Sequence, residues 1–268
     1  MQSTMMDVPL SLNHLLERAG KLFAENKIIS RLPDKSIRRH SYGEFYRRTR
    51  SLASVLRQLG LEKGDRVATL CWNHHAHLEC YFGIPAAEGV VHTLNLRLAP
   101  QEIGWIAQNA NDRFLIVDDV LLSLYEQFSH LHRFERVIVF PFSGAEVSPE
   151  FEDYEALLVR GDPDGFVYAT HNETDPVSMC YTSGTTGRPK GVVYSHRSTI
   201  LHTLVASLGD FWALRSMDVV LPVTPMFHVN AWGVPYAAVN LGTRLVLPGP
   251  HLHADDLLDL MQIEPPTV

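Results

Sequence analysis

Short apolar runs separated by stretches of helical periodicity fill the first half of this chain, and no other feature narrows its fold as far. Residues 67–72, 90–94, 114–117 and 136–140 are rich in Val, Ile, Leu and Phe and are bounded by turn-forming or charged residues. Strands buried on both faces read this way. Between the runs lie helix signals. Ser41 with Glu44 three residues later has the form of a capping box, and Phe45, Leu52, Val55, Leu56 and Leu59 then recur at helical spacing until Gly60 stops them. Further helices are expected from about Ala76, with Pro85 to kink or end it, and over residues 101–109 and 121–128. Strands alternating with helices pair in parallel through right-handed crossovers, with helices covering both faces. The expected class is α/β, with layered, largely parallel sheets.

Between residues 143 and 176 the pattern dissolves into Gly, Pro and acidic residues, among them Glu146, Glu150, Glu152, Asp153 and Glu155. This predicts a surface connection dividing a first α/β subdomain, 1–142, from a second, 177–268. In the second part, residues 177–181 and 192–194 read as two short strands. Ser195 then caps a helix carrying Ile200, Leu201, Leu204, Val205 and Leu208. Residues 255–261 read as a helix, and Thr267 and Val268 as the start of one more strand.

The two strands of the second part enclose the most telling segment, Tyr181-Thr182-Ser183-Gly184-Thr185-Thr186-Gly187-Arg188-Pro189-Lys190-Gly191. Glycines let backbone amides approach phosphate oxygens, hydroxyls donate to the same oxygens, and Lys190 adds a point charge. Neither a Walker A loop nor a dinucleotide-binding G-x-G-x-x-G turn can be written onto these residues.

This segment resembles the phosphate-binding signature of the adenylate-forming superfamily. Pro225-Met226-Phe227-His228-Val229-Asn230-Ala231-Trp232-Gly233 resembles that family's next signature. The chain as a whole is similar to the medium- and long-chain fatty acyl-CoA synthetase branch. The resemblance implies ATP-dependent formation of an acyl-adenylate followed by transfer to coenzyme A. It places Thr182, Ser183, Gly184, Thr185, Thr186, Gly187 and Lys190 around the phosphates of ATP, with Lys190 and His228 as catalytic residues. It places His228, Val229, Asn230 and Trp232 at the acid, with Thr182 as a minor ligand of Mg2+. Segments that would bind adenine, ribose and the main magnesium charge, and a C-terminal catalytic lysine, have no counterpart here, so the expectation is an N-terminal fragment that forms no acyl-adenylate alone.

For the acid, the chain argues by omission. From 219 to 254 there is no Asp or Glu, so an α-amino acid's ammonium would be left unpaired at high cost. An apolar carboxylic acid fits better. Other acid-activating adenylation enzymes, for aryl, short-chain or amino acids, stay open, as does a non-catalytic nucleotide-binding module.

The net charge of −7 offers no electrostatic footprint for nucleic acid. The cluster Arg47, Arg48 and Arg50 is expected on a solvated helix face. Cys71, His74, His75, His77 and Cys80 tempt a zinc reading, but all crowd one strand end and the helix after it, where a tetrahedron does not close. Three cysteines, no targeting pattern and no bilayer-length apolar run lead to a cytoplasmic expectation. The arm from Ser3 to Leu12 is a candidate for pairing two copies as a homodimer.

Overall fold

The computed structural model describes residues 4–5, 7–182 and 187–268. The elements in chain order are α1 (Leu12–Leu22), β1 (Lys27–Arg31), β2 (Ile37–Ser41), α2 (Tyr42–Gln58), β3 (Arg66–Leu70), α3 (His75–Ala86), β4 (Val90–Thr93) and α4 (Pro100–Ala110). There follow β5 (Phe114–Asp118), α5 (Leu122–Phe128), β6 (Arg136–Phe140), β7 (Glu152–Asp153), α6 (Tyr154–Arg160), β8 (Pro176–Thr182), β9 (Lys190–Ser195) and α7 (His196–Ala206). The last are β10 (Val219–Val220), α8 (Val234–Leu241), β11 (Arg244–Leu247) and α9 (Ala254–Ile263).

Two sheets result. The larger has the order β7-β6-β5-β3-β4-β8-β9, parallel throughout except for the β8–β9 hairpin at its edge. The smaller has the order β10-β11-β1-β2, parallel except for β1 with β2. Both draw strands from either side of residues 143–176.

Side chains alternate across the large sheet as strand geometry demands. Phe114 and Ile116 pack with Leu52, Leu56 and Ile84 of α2 and α3 on one face. Leu115 and Val117 pack with Ile103, Ile106 and Phe128 of α4 and α5 on the other. Covering both faces makes every residue of β5 buried, the reason its sequence reads as a continuous apolar run. Helix α3 touches strands of both sheets, and all its residues are buried. Pro85 stands one residue before its end, so the helix stops there instead of kinking.

Three expectations are corrected. Residues 143–176 are not only a surface connection: β7 extends the large sheet, and α6 packs on α2 with Tyr154, Leu157 and Leu158 buried. Of the arginine cluster only Arg47 is solvated. Arg48 chelates Glu79, buried on α3, and also Glu155 of α6, while Arg50 reaches the carbonyls of Pro163 and Phe166. Finally, α7 is capped by Ser195 and buries Ile200 as expected, but Leu201, Leu204 and Val205 point outward while His196, Thr199 and Thr203 face inward. The start of a further strand is seen, since Thr267 N–H donates to Val219 O and Leu221 N–H to Val268 O beside β10. No helix among the described residues is long and apolar enough to cross a membrane.

The arm before α1 is fastened to its own chain. Leu12 N–H donates to His196 Nδ1 at 3.1 Å, and Leu10 N–H to Glu173 at 3.1 Å.

Candidate functional site

The β8–β9 hairpin brings its two ends together. Thr182, last residue of β8, lies directly opposite Lys190, first of β9. Residues paired in this way project to the same face, so one hydroxyl and one ammonium bracket the tip. Both are exposed. Gly187 has φ 131° and open space where a side chain would be. Ser183, Gly184, Thr185 and Thr186 lie outside the described residues.

The second signature forms a turn with the wrong hand. Val229, Asn230, Ala231 and Trp232 have φ of 45°, 48°, 48° and 55°, and Gly233 has 78°. An L-residue in this conformation stands about 1–2 kcal/mol uphill, so surrounding contacts must hold the turn. Asn230 is buried, donating to Ser178 Oγ on β8 at 3.1 Å and accepting from Thr93 Oγ1 of β4 at 3.5 Å. Ala231 is fully buried. Gly233 meets a second demand, because a Cβ there would come 2.8 Å from the His202 ring. The turn therefore hangs on β8, and Ser178 precedes Thr182 by four residues, about 13 Å along a strand. That is how the two signatures are joined.

His228 and Trp232 are both exposed, so neither is the core residue its apolar surroundings suggest. Trp232 stands at a cleft of about 190 Å³, shared by Val229, Asn230, Tyr194, Thr199, His202 and Tyr236. Burial, then the neighbouring Cys180, pushes the Tyr194 phenol up to about 12. Burial raises Tyr236 further. Both phenols stay neutral at physiological pH, and among the described residues the cleft lining contains no carboxylate.

Asn73 is a residue that the sequence reading passed over. It sits just beyond β3, at the carboxyl end of the large sheet. Its Nδ2 donates to Pro222 O and Thr224 O, each at 3.2 Å, and its Oδ1 accepts Met226 N–H at 2.7 Å. Tyr81 on α3 donates to Met226 O as well. These bonds hold the segment that ends in His228. The available signal was position, because ligands of parallel sheets sit beyond strand carboxyl ends.

The suspected zinc cluster is closed upon itself. Cys71, His74 and Asp118 converge, but His74 Nε2 bonds Asp118 Oδ1 at 2.8 Å, Asp118 Oδ2 accepts Trp72 N–H, and His74 Nδ1 caps α3 by accepting His77 N–H. Burial, then His74, pushes His77 down to about 3. It is a neutral core histidine, bonded to Thr69 Oγ1 and Trp72 O.

The chain is 47% identical over 263 residues to a long-chain-fatty-acid–CoA ligase of Thermus thermophilus, covering 98% of this chain and 47% of that protein. It is 38% identical over 268 residues to a medium-chain-fatty-acid–CoA ligase of Ectopseudomonas oleovorans, covering 98% and 49%. The chain thus spans about half the length of the curated relatives it matches. Among solved structures, that of the anthranilate CoA ligase AuaEII in complex with anthranoyl-AMP superimposes with a TM-score of 0.86 at 23% identity, over 100% of this chain and 50% of that one, a likeness of fold. The family model described as AMP-binding enzyme matches residues 16–268. The chain belongs to the AMP-binding enzyme family.

Proposed function

We propose that this chain supplies the phosphate grip and part of the acid pocket of an acyl-CoA synthetase acting on medium- or long-chain fatty acids. In that reaction a carboxylate oxygen attacks the α-phosphorus of ATP, the bond to pyrophosphate breaks, and the thiol of coenzyme A then displaces AMP from the acyl carbon. The observation carrying this reading is the pairing of Thr182 with Lys190 at the tip of a strand whose Ser178 also holds the Asn230 turn. Charge moves onto departing pyrophosphate in the first step, and donors fixed beforehand stabilise it most. Lys190 and the hydroxyls and amides of residues 182–187 serve there, and His228 orients the carboxylate beside Val229, Asn230 and Trp232. The cleft without a carboxylate argues against an α-amino acid, and the fatty-acid ligases among the relatives favour an alkyl chain.

Magnesium accompanies ATP, but the described residues do not by themselves fit it. Thr182 offers one neutral oxygen, whereas Mg2+ demands near-octahedral oxygen ligation. No residue of this chain is assigned to coenzyme A. A cytoplasmic setting, supported by three free cysteines, and pairing of two copies through the N-terminal arm belong to the same proposal.

The test is ATP–pyrophosphate exchange by the protein as encoded, against fatty, aryl and amino acids. Lys190→Ala is expected to lower the exchange rate about a hundredfold, as loss of one pre-oriented donor does elsewhere. An unchanged rate removes the lysine from the chemistry, and a preference for cationic amino acids overturns the substrate class.

A further inference from the structure

Both ends of the hydroxyl-rich hairpin are tied to one face of α4. At the upstream end the Tyr181 phenol donates to Asn109 Oδ1 at 2.6 Å, and its ring stands edge-on to Trp105 with centroids 6.4 Å apart. At the downstream end the Arg188 guanidinium lies over the Trp105 ring, 5.1 Å from its centroid. Trp105 and Asn109 are four residues apart, hence neighbours on one helical face. The other side of Tyr181 rests near His92, ring centroids 5.3 Å apart, and His92 is itself held by Asp112 at 2.8 Å. Gly191 belongs to the same arrangement. A Cβ there would stand 3.1 Å and 3.2 Å from two atoms of the Tyr181 ring and 3.3 Å from Met179 Sδ. The last glycine of the motif therefore makes room for a tyrosine, a different task from admitting a phosphate.

We propose that α4 is the post to which the phosphate grip is moored, with Trp105, Asn109 and Tyr181 as positioning residues for the triphosphate of ATP. They act through their neighbours. Tyr181 sets Thr182 and Arg188 sets Lys190, so that the two ends of the grip are held at a fixed separation before nucleotide arrives. Freedom removed in advance is freedom that binding need not remove. This rests on the nucleotide role proposed above for the hairpin.

The experiment measures the dissociation constant of MgATP by calorimetry, and the separate KM values for ATP and acid, on the protein as encoded. Trp105→Ala is expected to weaken ATP about two- to fivefold, the loss of one exposed cation–π contact. Tyr181→Phe, which keeps the ring and loses one hydrogen bond, is expected to weaken it by a similar factor. Trp105→Phe restores most of the affinity, and KM for the acid stays put in all three. An unchanged ATP constant in Trp105→Ala overturns the proposal. So does a joint drift of both KM values with the melting temperature, which marks a merely structural contact. Lys190→Ala separates the two levels of argument: if it affects ATP while Trp105→Ala does not, only the α4 mooring falls. If neither does, the nucleotide reading falls with it.

Discussion

Helices α2 and α7 begin alike and pack oppositely. Each opens with a capping box, Ser41 with Glu44 and Ser195 with Ser198, and each has a histidine beside its cap, His40 and His196. Yet α2 buries Phe45, Leu52, Val55 and Leu56, whereas α7 turns Leu201, Leu204 and Val205 outward at 43%, 49% and 56% exposure. Its inner face carries Thr203, whose hydroxyl is satisfied by Thr199 O one turn earlier. A cap and a period of 3.6 specify a helix, but which face turns inward is decided by what stands opposite.

The sharpest way to break this comparison is truncation. Phe45→Ala, in a fully packed site with Tyr42 and Phe82 edge-on to the ring, is expected to cost about 3–5 kcal/mol in urea unfolding. Leu204→Ala is expected to cost under about 0.5 kcal/mol, as an exposed site should. Equal losses would show that α7 is packed in solution as α2 is.

Acid is next in size, and here the helices should behave alike. Burial first, then neighbouring positive charge, pushes His40 and His196 each down to about 4. The unfolded chain then binds protons first as pH falls, so stability is full above about 6.5 and declines toward 4, by on the order of 2–3 kcal/mol per histidine. His196→Gln should flatten that slope. It should also abolish the pH dependence of the protection factor for amide exchange at Leu12, whose N–H is held by the neutral Nδ1. A slope identical to that of the parent chain would show that His196 does not titrate in this window.

The smallest effect sharpens the comparison furthest. Ser41→Ala and Ser195→Ala are each expected to cost about 1 kcal/mol, because the capping bond is local and indifferent to the face buried. A several-fold difference between them would mean that a cap draws on the packing beyond it.

What could be read in the residues follows the same division. The strands of the large sheet other than β7, and helices α2, α4 and α5, were legible because their periodicity comes from burial on a regular lattice. Helix α6 was hidden because a seven-residue helix with Tyr154, Leu157 and Leu158 as its buried positions leaves little period to see. Arg48 looked solvated because its partner, Glu79, lies on another helix and only folding brings them together. At the candidate site the glycine and hydroxyl composition was visible, and so was His228. Asn73 was not, since its three bonds reach residues about 150 positions away. Gly191 was visible as a glycine but not as the seat of Tyr181.

The turn at 229–233 has a consequence beyond its energy. Mirror-image winding sends neighbouring side chains in directions no ordinary helical turn offers, here Asn230 inward to Ser178 and Trp232 out to the cleft. Handedness is thus a single backbone setting that aims two side chains at once. Any change that let this stretch rewind to the common hand would lose the tether and misplace the indole together, with no atom of either residue altered.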